Sequence, residues 1–254
     1  MTRADWILRP ILWFVTASTI NVVLHEGAYA LTTYAFGIPS TLFQYWVNWQ
    51  SASASAVQQA AIGAARPVSS LIFGVLCLLA YKQLSKSVVG LPLLYLSTGG
   101  IAMFFGNLMS TAFIGDFSAA ATTLPLPMAS RYAASLLGAL AGAAILFWQG
   151  RELRRWIPQQ SGRIFGVIAV AVLPILIGTA IIILINQPVP TGASFAFARA
   201  TEASFGIFTV IGAATGPRQP TSGRSFRLWW MDGTIALAAM LVVRLMVRGI
   251  ALTP

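Results

Sequence analysis

The stretch that decides the fold is Asn21-Val22-Val23-Leu24-His25-Glu26-Gly27-Ala28-Tyr29-Ala30-Leu31, which lies inside the first long apolar segment of the chain. It puts a histidine and a glutamate where lipid should be. His25 is the only histidine of the 254 residues, and Glu26 is one of only six acidic residues. Ionisable groups at membrane depth are expensive, so a functional site is the default reading of the pair. The spacing falls one residue short of His-Glu-x-x-His, in which two histidines four apart share one helical face and aim at one metal. Tyr29 stands where the second histidine would be.

Working outward, the whole chain has membrane composition. Hydrophobic residues make up 57% and charged residues 9%, against about 25% charged in a soluble domain. Six strong hydrophobic segments stand out, at 7–36, 67–81, 88–109, 132–148, 164–185 and 228–247. Several approach the ~20 residues that cross a bilayer as a helix. The two short ones extend into their flanks. No alternation of outer-membrane strand type is present, so the fold class is all-α, a polytopic bundle of about six spans. A seventh candidate, 193–214, contains Arg199 and Glu202 and reads as an interfacial or re-entrant helix, with a true span as the alternative. The first segment is too long and too polar for a cleaved signal peptide.

The net charge of +10 gathers at segment ends, which fits topology and anionic headgroups, with the lipid bilayer as partner and no nucleic acid. Arg3, Arg9, Lys82, Lys86, Arg151, Arg154, Arg155, Arg163 and Arg248 fall on one side of a six-span arrangement. The N-terminus is therefore expected in the cytoplasm of a multi-pass protein. Arg199, Arg218, Arg224 and Arg227 oppose this count, and a seventh span would move the last three across. Ser51–Ala56 reads as a short linker, 187–227 as a long loop, and 1–254 as one membrane domain. The lone Cys77 excludes an intrachain disulfide.

A glutamate beside a metal-ligating histidine serves as general base on metal-bound water. Tyr29 can ligate only as a tyrosinate, and phenol has a reference pKa near ~10. A further ligand must come from elsewhere. In any consistent reading with helical spans, the ends of the first and third spans share a membrane side. His25 lies toward the end of its span and Asp116 just follows its own, so His25, Glu26 and Asp116 can converge whichever way the protein points.

Three pieces in order resemble the site-2 protease family of intramembrane zinc metalloproteases. Leu24-His25-Glu26-Gly27-Ala28-Tyr29-Ala30-Leu31, with Phe36-Gly37-Ile38-Pro39 after it, is similar to the zinc helix and its following turn. Gly63-Ala64-Ala65-Arg66-Pro67-Val68-Ser69-Ser70 is similar to the Ala-Gly-Pro-x-x-Asn helix start. Asn107-Leu108 through Gly115-Asp116 is similar to the Asn-Leu…Asp-Gly segment, whose aspartate is the third ligand. The resemblance implies a metalloprotease-like core over 1–131 and additional spans over 132–254. It also implies zinc held by His25 and Asp116, with Tyr29 or water completing the shell and Glu26 activating water. The departures are Tyr29 for histidine, Arg66 for glycine, Ser70 for asparagine and Phe117 for the glycine after the aspartate.

Around this set, Asn21 sits one turn before His25 and can support it or serve as helix glue, as can Asn107. Arg66 is read as snorkelling to the headgroups, with neutralisation of Glu26 or Asp116 as the alternative. Trp49 and most other tryptophans read as an interfacial belt. The expected function is that of an integral membrane protein resembling an intramembrane zinc metalloprotease, with reduced or lost peptidase activity on a membrane-protein substrate. The alternative is a non-catalytic scaffold or accessory subunit of a larger membrane complex. A transporter trails because internal repeats are absent.

Overall fold

In the computed structural model, residues 3–157, 162–186, 206–216 and 230–254 are described. The chain is a helical bundle. Helix α1 (Arg3–Ala35) leads into β1 (Ser40–Leu42) and β2 (Val47–Trp49), then α2 (Ala56–Leu84) and α3 (Gly90–Met109). A short helix, α4 (Asp116–Thr123), precedes α5 (Met128–Arg154). A sixth rod joins α6 (Arg163–Val167), a π-helical segment (Ile168–Val172) and α7 (Leu173–Ile185). Then come α8 (Gly206–Thr215), α9 (Trp230–Met246) and β3 (Ile250–Leu252).

Among the described residues, five helices are long and apolar enough to cross a membrane: Ile7–Ala35, Ala56–Leu84, Gly90–Ala112, Met128–Arg154 and Arg163–Ile185. They give the chain the build of a multi-pass integral membrane protein. The expected segment at 228–247 appears as α9, a helix of 17 residues. The candidate at 193–214, with Arg199 and Glu202, lies mostly outside the described residues, and so does the loop at 187–227 apart from α8.

Helix α2 begins far earlier than its apolar run suggests. Ser55 caps it through a reciprocal box with Gln58, and eleven residues of helix precede Pro67. The stretch Ser51–Ala56, read as a linker, therefore ends in a helix cap. Small and amide residues carry the first turns, which hydropathy alone does not register. Pro67 stands in the helix interior. Lacking an N–H, it leaves the Gly63 carbonyl without an intrahelical partner.

Helix α1 is the axis, packed against α2, α3, α7 and α9. At its first end, Arg9 Nε lies 3.0 Å from Asp232 Oδ2 of α9, and Trp13 donates to Asp232 Oδ1 at 2.8 Å. Arg9 also donates to the Val88 carbonyl between α2 and α3 at 2.5 Å. The apolar core lies near this end, around Trp13, Tyr81, Leu94, Tyr95, Leu153 and Trp156. Gly138 of α5 meets the α3 backbone so closely that an added Cβ would stand 2.3 Å from the Met109 nitrogen. The small-residue run of α5 thus serves packing within the chain.

At the second end, β1 pairs antiparallel with both β2 and β3. This corrects the six-span parity. Asp232 marks the start of α9 beside Arg9, whereas β3 lies with β1 beyond the far end of α1. The two chain ends therefore lie at opposite ends of the bundle, and Arg248 does not share a side with Arg9. Charge counting missed this because its count rested on six crossings.

Candidate functional site

The ten residues between His25 and the end of α1 span roughly 15 Å of helix, so the pair sits well inside the bundle. Residues three and four apart on α1 share a face, which brings His25, Glu26 and Tyr29 to the same side. Arg66 and Ser70 are likewise four apart on α2 and face them. Asp116 opens α4 directly after Gly115, whose φ of 103° is a backbone setting that favours glycine. An added Cβ at Gly115 would also stand 2.9 Å from the Ser110 hydroxyl. The turn aims Asp116 back into the bundle.

The sequence-predicted residues meet around Arg66. Its Nη1 donates to Asp116 Oδ1 at 2.9 Å, and its Nη2 stands 2.9 Å from Glu26 Oε2. The first contact is an aligned hydrogen bond; the second is an ion pair without hydrogen-bond alignment. The guanidinium carbon lies 3.7 Å from the centroid of the Tyr29 ring. Tyr29 accepts a hydrogen bond from Trp49 Nε1 of β2 at 2.7 Å. On the other flank, His25 Nε2 is 3.3 Å from Asp116 Oδ2, and His25 Nδ1 is 3.1 Å from Ser70 Oγ. All four charged or ionisable partners are largely enclosed, with side-chain exposures of 15% or less.

Arg66 does not snorkel. Two carboxylates converge on it in a dry setting, and a guanidinium offers five donors in a planar fork that one headgroup contact would not use. Trp49, read from the sequence as part of an interfacial belt, also braces Tyr29. Its role depends on β2, a three-residue strand with no readable pattern. Ser70 is a partner of His25 that the sequence offered only as a departure from a motif. Asn21 donates to the Ala17 carbonyl at 2.9 Å and lies against Gly99 and Gly100 of α3, so it serves the α1–α3 crossing. Asn107 donates to the Met103 carbonyl at 3.1 Å.

Asp116 lies outside the spanning helices. Burial pushes its carboxyl up, but the His25 hydrogen bond and the Arg66 charge together outweigh burial and hold it below the usual carboxylate range. His25 thus bridges Asp116 and Ser70 through its two ring nitrogens, and the Ser70 hydroxyl also donates to the Arg66 carbonyl at 3.2 Å.

A file of Ser70, His25 and Asp116 has the residue types of a nucleophilic relay. Ser70 is completely buried, so no substrate carbonyl can reach its hydroxyl. The donor set also does not fit zinc. A catalytic zinc takes three protein ligands, and only His25 and Asp116 are well-suited donors here. The Tyr29 hydroxyl is held by Trp49, and the positive Arg66 fills the space between the carboxylates. Among the described residues, no three His, Cys, Asp or Glu side chains gather as a metal site. The arrangement clamps three chain segments, α1, α2 and α4, through one cation. Compared with protein-family models, curated proteins and solved structures, the chain matches none.

Proposed function

We propose that this chain is a site-2-protease-like membrane protein in which a guanidinium has taken the electrostatic place of the zinc ion, leaving a non-peptidase scaffold or accessory subunit. The observation that carries the reading is the position of Arg66. Its fork joins Glu26, the residue that would activate water, to Asp116, the residue that would ligate metal. In the motif that the Gly63–Ser70 segment resembles, glycine stands at this place, and glycine leaves room for a metal. Arginine fills the room and supplies positive charge without Lewis acidity or an open coordination position. A carboxylate facing that fork has no metal-bound water to deprotonate.

Purified protein, reconstituted in lipid nanodiscs and analysed for elements, tests the reading. The unmodified chain is expected to hold zinc well below one per chain and to leave transmembrane peptides uncut. The double variant Tyr29→His with Arg66→Gly restores both departures at the site and should take up about one zinc per chain. One tightly held zinc in the unmodified protein, with chelator-sensitive peptide cleavage, overturns the proposal. A double variant that folds and still ignores zinc removes the ancestry from the argument.

A further inference from the structure

A second feature lies between α4, the end of α3 and the start of α5. Leu108 of α3, Thr111, Phe117, Ala120 and Ala121 of α4, and Ala134 of α5 line an apolar groove of about 220 Å³ together with the rim leucines Leu124 and Leu126. Both rim leucines are exposed. Arg131, one turn before Ala134, is tied to Thr111, one of the lining residues. It donates through Nε to the Thr111 carbonyl at 3.3 Å and through Nη2 to Ser118 Oγ at 3.1 Å. These bonds use two of its five N–H groups. No carboxylate faces it among the described residues. The nearest acidic residue in sequence, Asp116, is occupied by Arg66 and His25.

We infer that this groove binds one anionic phospholipid, with part of an acyl chain against Phe117, Ala120 and Ala134 and the phosphate on Arg131. The place of the groove supports a lipid over other apolar guests. Arg131 lies in the first turn of a membrane-crossing helix, at the depth where headgroups meet hydrocarbon. Snorkelling alone would extend the guanidinium into water. Here two hydrogen bonds tie it to Thr111 and Ser118, next to residues that line the apolar slot. The charge decides the class of lipid. An uncompensated guanidinium favours an anionic headgroup over a zwitterionic one, and phosphate accepts its fork geometry. A bound lipid would also brace α4, the helix that carries Asp116.

Native mass spectrometry of the full chain in detergent, with phosphatidylglycerol or phosphatidylcholine of identical acyl chains, tests the site. One phosphatidylglycerol per chain is expected to persist at activation energies that strip phosphatidylcholine. Arg131→Gln should weaken retention about five- to tenfold. Ala120→Phe, which fills the slot and leaves Arg131 in place, should weaken it independently and keeps the test decisive if Arg131→Gln fails to fold. Excess inorganic phosphate should not displace the lipid. Equal retention of the two lipids, unsaturable retention of many copies, or unchanged retention in a folded Arg131→Gln or Ala120→Phe variant overturns the inference. Displacement by phosphate alone also overturns it, because the site would then read a free anion.

Discussion

Arg66 and Asp116, fifty positions apart in sequence, are joined by a 2.9 Å hydrogen bond from Nη1 to Oδ1, and the same guanidinium turns its other nitrogen to Glu26. One cation, carried by α2, thereby ties α1 and α4 together. Two carboxylates in a low-dielectric setting repel each other and resist burial; the guanidinium offsets both effects.

Arg66→Ala is expected to destabilise the protein by about 3–5 kcal/mol, because it leaves two enclosed carboxylates without their cation. Arg66→Lys should recover only part of the loss, since an ammonium cannot span both partners with a planar fork. Thermal unfolding in detergent reads the difference. Pairing Arg66→Ala with Glu26→Gln and Asp116→Asn should return some of the lost stability. An Arg66→Ala variant as stable as the parent would sink the clamp.

Tyr29 holds Arg66 from beneath with its ring, and its hydroxyl ties α1 to β2. Tyr29→Phe keeps the ring and loses the Trp49 bond, an expected cost of about 0.5–1.5 kcal/mol. Tyr29→Leu also removes the cation–π contact and should cost up to about 2 kcal/mol more. If both variants melt together, the ring contact contributes nothing.

Asp116 makes stability depend on pH. Its folded carboxyl titrates below the unfolded value, which is near ~3.9. Folding then binds fewer protons than unfolding, and stability rises with pH in that range. The contribution is fully present above the unfolded value and is lost as pH falls through the folded one. Asp116→Asn should flatten the acid limb of a melting-temperature profile below pH ~4. A parent and variant that lose stability in parallel through that window would contradict the assignment.

At the other end, Asp232 holds Arg9 and Trp13. Asp232→Ala is expected to cost about 3–5 kcal/mol, as for other buried pairs broken on one side. The loss should localise to α9, so limited proteolysis should release the C-terminal segment first. Uniform loosening of the bundle would show that α9 is not docked through this pair.

Residue order and composition alone make the lipid solvent and most of the helices of this protein legible. Long apolar runs in lipid have one economical backbone solution, the helix, because no water is present to satisfy peptide groups. Composition also singles out His25, Glu26 and Asp116, since so few ionisable residues occur in this chain that each one is conspicuous. Helix periodicity put Tyr29 on their face. The direction of long side chains and the pairing of remote segments emerge only from packing in three dimensions. Arg66 can reach headgroups or carboxylates from one backbone position, and the choice depends on where α4 brings Asp116. That placement rests on the φ of Gly115, which no hydropathy pattern encodes. Trp49 and Ser70 acquire their partners through contacts 20 and 45 residues apart. The early start of α2 was written locally, in the Ser55–Gln58 capping box, yet apolar length obscured it. The end of the bundle to which the C-terminus belongs follows from β3 pairing with β1, a long-range hydrogen-bond choice that local propensity does not specify.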